Sequence, residues 1–140
     1  MQADTRSERF NHLMKRWIEH CSHPRVHKSE RARAVWNCKP YYLIVKLGKD
    51  VLPLIRQSYA SDVSSFVPEP SRENRIAYDV IRSFGLEAVI TTLCDGFSVP
   101  EDARGTDYER IENRRAYTQR WLADYLSDAP SARSTQPRSR

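Results

Sequence analysis

Phe10, Leu13, Met14, Trp17, Ile18 and Cys21 recur at three- and four-residue steps, so the chain opens on one apolar stripe of helical period. Thr5 followed by Glu8 has capping-box spacing and predicts the start of this helix. His23-Pro24 predicts its end, because the residue before a proline is pushed out of the helical region. Lys28 to Trp36 reads as a short helix capped by Ser29. Pro40 suits a first turn and opens a helix through Tyr41 to Leu47, which closes on Gly48, where a left-handed residue costs least. Asp50 then caps a further helix, with Pro53 in its first turn and Val51, Leu52, Leu54, Ile55 and Tyr59 as its buried face.

The stretch Ala60 to Ser71, with Pro68, Pro70 and several serines, reads as a connecting loop. Helix resumes near Arg72, where Ile76, Ala77, Val80, Ile81 and Phe84 share one face. Gly85 is expected to interrupt it before Leu86, Val89, Ile90 and Leu93 continue and Asp95-Gly96 stops the run. Setting Gly85 over Gly48 aligns Ile81 with Ile44 and Phe84 with Leu47, an internal repeat at an offset of 37 residues. Thr106 and Glu109 form another capping box, and Tyr108, Ile111, Tyr117, Trp121, Leu122 and Tyr125 mark a long last helix. The expected fold is all-α: a compact bundle of stacked antiparallel helical pairs, HEAT-like, forming one domain over residues 1–127. Residues 128–140, rich in Pro, Ser and Arg, are expected to be a disordered basic tail.

The phrase from Tyr42 to Arg56, with Leu47-Gly48 followed by Val51-Leu52-Pro53-Leu54-Ile55, resembles the helix-turn-helix phrase of HEAT-like repeats. Residues 17–126 also resemble a group of small uncharacterised bacterial proteins. The shared layout is Trp17, Pro40-Tyr41, Leu47-Gly48, the proline helix, Val99-Pro100-Glu101-Asp102 and Arg120-Trp121-Leu122, in that order. This chain departs from the group between Ser58 and Glu73, where the group carries a tryptophan-rich stretch. The resemblance implies a fold and a bacterial source, and brings no activity with it.

Composition narrows the classes further. Of a net charge of +5, the segment Asp128 to Arg140 contributes +2, with three arginines against one aspartate, leaving +3 on the body. That excess assists solubility and attraction to polyanions without fixing a partner. No apolar run approaches the roughly 18–20 residues of a membrane span, and the polar N-terminus has no leader pattern, so a cytoplasmic protein is expected. Three irregularly spaced cysteines, Cys21, Cys38 and Cys94, suit reduced thiols. The four glycines stand apart, which excludes glycine-rich phosphate cradles.

Four constellations remain. Cys21, His23, His27 and Cys38 supply two thiols and two imidazoles within eighteen residues, a ligand set for zinc, although the spacing matches no finger or ribbon. Cys21 also belongs to the apolar stripe, where a core cysteine is the commoner fate. His20, His23 and His27 titrate near neutrality but no motif pairs them with a nucleophile. Arg25, Lys28, Arg31 and Arg33, followed by Trp36, Tyr41 and Tyr42, join cations to aromatics as nucleic-acid surfaces do, and Arg133, Arg138 and Arg140 add to them. Glu101, Asp102, Asp107 and Glu109 are explained by a helix N-terminus without a cation.

With no complete reaction motif, the leading expectation is a noncatalytic protein-interaction module without a cofactor. It would serve as an adaptor or antitoxin-like component of a bacterial toxin, defence or mobile-element system, bound to another protein. The alternative is a nucleic-acid-binding protein using the basic stretch. A metal-dependent enzyme built near Cys21 to Cys38 is a third reading.

Overall fold

The computed structural model describes residues 2–24, 33–100 and 108–127. Seven α-helices run through them, and no strand occurs among the described residues. They are α1 (Gln2–Ser22), α2 (Arg33–Trp36), α3 (Lys39–Lys46), α4 (Leu52–Ala60), α5 (Arg72–Val80), α6 (Leu86–Leu93) and α7 (Tyr108–Ser127). Helix α1 packs on α3 and α5, α3 on α6, and α4 on α7. No described helix is long and apolar enough to cross a membrane.

The apolar stripe of α1 is buried throughout: Phe10, Leu13, Met14, Trp17, Ile18 and Cys21 all lie in the core. The helix begins earlier than Thr5, at Gln2, so Thr5 and Glu8 sit inside it rather than at its cap. Pro40 falls in the first turn of α3 as expected. The chain then turns at Gly48 with φ +82° and ψ −171°, a conformation open essentially to glycine alone. Asp50 caps no helix through its side chain; it lies in a single 3-10 turn, Lys49–Val51, and pairs with Arg6 of α1 at 3.5 Å. Ser71 and Asn74 close a reciprocal capping box at the start of α5.

Gly85 departs from the sequence expectation. It does not break the helix: with φ −69° and ψ −48° it is helical, and α5 runs into α6 through a π-helical turn, Ile81–Gly85. The 37-residue offset therefore sets a true chain reversal at Gly48 against an uninterrupted helix at Gly85. The glycine is needed for space. A Cβ there would stand 2.7 Å from Cζ2 and 2.9 Å from Cη2 of Trp17. The wider turn also loosens the backbone ladder, and the Asp79 carbonyl accepts from Ser83 Oγ at 2.8 Å and from Arg115 Nη2 at 2.9 Å.

Trp17 is fully buried and fixes three elements at once. It fills the gap left by Gly85, its indole Nε1–H donates to the Val35 carbonyl of α2 at 2.7 Å, and its ring meets Tyr41 of α3 edge-on at 5.9 Å. Helix α7 is clamped from the other side. Arg114 grips Glu87 with two bonds of 2.7 and 2.9 Å, and Arg115 reaches Asp79 Oδ1 at 2.6 Å. The Arg114–Glu87 pair is only 12% and 14% exposed, so both charges depend on each other. Tyr78 joins α5 to the end of α4 by donating to the carbonyls of Ser58 and Ser61.

Gly85→Ala is expected to destabilise the fold by about 1–3 kcal/mol, the usual effect of overpacking a filled core. Gly48→Ala costs a similar ~1–3 kcal/mol, through backbone strain instead. Gly96→Ala, where an added Cβ meets nothing within 4 Å, serves as the neutral control. Urea denaturation of the three variants checks the order.

Candidate nucleic-acid interface

The side of α1 that carries Arg6, Arg9, Arg16 and His20 faces α3. Arg6 pairs with Asp50 just beyond the end of α3, and Arg16 and His20 line a groove with Lys39 and Pro40 at its beginning. The groove is open and has a volume of about 620 Å³; Glu19, His23, Asn37 and Cys38 complete its walls. Arg9, Arg16, His23 and Lys39 are exposed and His20 is half-buried.

Helix α3 explains the outer lip. Pro40, Tyr41 and Ile44 are buried, which turns Lys39, Tyr42 and Lys46 outward at i, i+3 and i+7. Tyr42 is 54% exposed and is the one exposed large hydrophobic among the described residues. Its ring is propped edge-on against Tyr41 at 5.2 Å. Two cations thus flank an exposed aromatic along α3, and Lys39 meets Arg16 of α1 in the lining of the groove. Among the described residues Arg9, Arg16, Lys39 and Lys46 are held in no ion pair. Glu19 is the carboxylate that opposes them in the groove.

Arg25, Lys28 and Arg31 lie outside the described residues, as do Arg133, Arg138 and Arg140; Arg33 opens α2. The chain leaves the described part at Pro24, next to His23, and returns at Arg33, four residues before Asn37, and both His23 and Asn37 line the groove. Tyr42 was singled out by sequence, whereas Arg9, Arg16, Lys39 and Lys46 were not. Their signal was the spacing in Lys39-Pro-Tyr-Tyr-Leu-Ile-Val-Lys46 and the seven-residue step from Arg9 to Arg16.

Of the zinc candidates, Cys21 and Cys38 converge on one acceptor. Their thiols stand 3.8 and 3.7 Å from the Val35 carbonyl that also accepts from Trp17. His23 lines the groove and His27 lies outside the described residues. Among the described residues no three His, Cys, Asp or Glu side chains come together as a ligand cluster. Burial pushes the Cys21 thiol up to about 12, with Cys38 adding to the shift, and burial raises Cys38 as well. Both are therefore poor thiolate donors at neutral pH. The acidic residues Glu101, Asp102 and Asp107 lie outside the described residues, and Glu109 is exposed in the first turn of α7.

Tyr78 is likewise pushed up to about 12 by burial. A group whose pKa is raised by folding contributes stability that is complete below its unfolded value and lost as pH climbs to the folded one. Thermal stability is thus expected to fall between pH 9 and about 12, from the ordinary thiol value upward. Cys21→Ala should flatten that fall from pH 9, and Tyr78→Phe only from the ordinary phenol value of 10; melting temperature against pH checks it. Comparison of the chain with family models, with curated proteins and with solved structures gives no match.

Proposed function

We propose that the protein is a noncatalytic helical module that binds nucleic acid across the α1–α3 face. The observation that carries this reading is the groove between α1 and α3 that Arg16, His20 and Lys39 line, with Tyr42 and Lys46 exposed on the same helix as Lys39. Cations spaced along two packed helices suit a run of phosphates, and an exposed ring between them suits stacking by a base. In sequence, Arg25, Lys28 and Arg31 fall between His23 and Asn37, which both line the groove. Glu19 opposes these cations in the groove, while Asp50 pairs with Arg6, Glu87 with Arg114 and Asp79 with Arg115.

A protein partner is the second reading, favoured by the groove's mixed lining of Glu19, Asn37 and Cys38 beside its cations. An adaptor or antitoxin-like role would use the same face toward an acidic surface, with bacterial toxin, defence or mobile-element proteins as the partners to try first.

Fluorescence anisotropy with labelled DNA and RNA tests the choice. Four phosphate contacts on a single strand predict a slope near −3 for log K against log salt, at roughly 0.7 per contact, between about 50 and 200 mM. Replacing Arg16 and Lys39 together by Ala should bring the slope to about −1.5 while leaving the fold intact. Absence of binding to either nucleic acid at low salt, together with stoichiometric capture of a host protein that the same double variant loses, would replace this function with the adaptor reading.

A further inference from the structure

Residues of α2, α3, α6, α7 and the π-helical turn line a second, open cleft. Trp36, Tyr41 and Phe84 supply aromatic walls, and Glu87, Thr91 and Arg114 supply polar edges; its volume is about 330 Å³. An apolar, aromatic cavity with a few fixed polar groups between helices is the ordinary form of a small-ligand site. Its polar groups are already oriented. Arg114 is bound twice to Glu87 and lies over the Phe84 ring at 5.0 Å, Thr91 Oγ1 donates to the Glu87 carbonyl at 2.9 Å, and Tyr41 shares a 2.7 Å hydrogen bond with Thr92. Each hydroxyl keeps acceptor capacity, and the Glu87 carboxylate and Arg114 guanidinium offer an acceptor and a donor side by side.

Position supplies the occupant. Tyr41 lines this cleft while its ring touches that of Tyr42, which stands on the cationic ridge between Lys39 and Lys46. A strand whose phosphates follow Lys39 and Lys46 therefore passes the mouth of an aromatic pocket within one ring of its path. We propose that this cleft receives one unstacked base of a single-stranded nucleic acid, with its face against Trp36 and its edge toward Glu87, Arg114 and Thr91. The proposal rests on the nucleic-acid reading and deepens it: a duplex keeps its bases stacked and paired, so the cleft makes the protein selective for single strands. Phosphate contacts alone would instead favour the duplex, whose charge density is higher.

The experiment is competition, by anisotropy, of a labelled single-stranded oligonucleotide against the unlabelled strand and against its duplex. The parent protein should prefer the single strand at least 5-fold. Trp36→Ala should weaken single-strand binding by about 5- to 150-fold, the range for losing one stacked base, and leave duplex binding unchanged. Trp36→Phe should restore most of the loss. Because Trp36 packs against the core, Thr91→Leu provides a second probe: it narrows the cleft from an exposed helical position and should abolish the preference with helicity and melting temperature retained. Equal affinity for both forms, or a preference that survives Thr91→Leu in folded protein, overturns the base pocket and leaves the cationic face standing. No binding to either form at low salt overturns the face and the pocket together.

Discussion

The fold turns on the seat of Trp17 against Gly85. An indole buried in the middle of a helical protein needs a neighbour without a side chain, a partner for its N–H and a flat surface for its edge. The chain supplies these from three places: Gly85 in the π-helical turn, the Val35 carbonyl in α2 and the Tyr41 ring in α3. Because one rigid group meets all three, α1, α2, α3 and the α5–α6 helix hold one relative position. The same carbonyl gathers the thiols of Cys21 and Cys38, so the start of α3 is tied to α1 at the floor of the groove. Both proposed binding surfaces inherit their geometry from this seat, since Tyr41 lines the cleft and supports Tyr42 on the ridge.

Charge is distributed with the same economy of position. Glu87 is drawn inward and Asp79 holds Arg115 at the surface to clamp α7, and Asp50 pairs with Arg6 just after the turn that follows α3. What remains outward on α1 and α3 is an excess of cations beside one exposed tyrosine. Burial keeps the thiols of Cys21, in the core, and of the half-buried Cys38 protonated. A surface with these properties attracts a polyanion at long range and discriminates at short range by ring contacts.

Much of the fold was legible because it follows from local chemistry. The helical period of Phe10 to Cys21, the proline starts of α3 and α4, the positive φ of Gly48 and the Ser71 start of α5 each rest on a few consecutive residues. Gly85 was misread because its reason is a tryptophan far away in sequence, and nothing near Gly85 reveals that Trp17 lies on it. Asp50 was misread likewise: a carboxylate after a glycine looks like a cap until Arg6 is brought to it by packing. The candidate site shows the same division. A run such as Arg25 to Arg33 is visible as a run, whereas a face assembled from Arg16 and Lys39 exists only once α1 crosses α3.

Backbone amide shifts recorded during titration with a single-stranded oligonucleotide test the account most directly, because they locate the contact without altering a residue. The account predicts that the largest changes fall on Arg9, Arg16, His20, Lys39, Tyr42 and Lys46 and extend to Trp36 and Thr91. Changes confined to α4 and the far side of α7, or none at low salt, would contradict it.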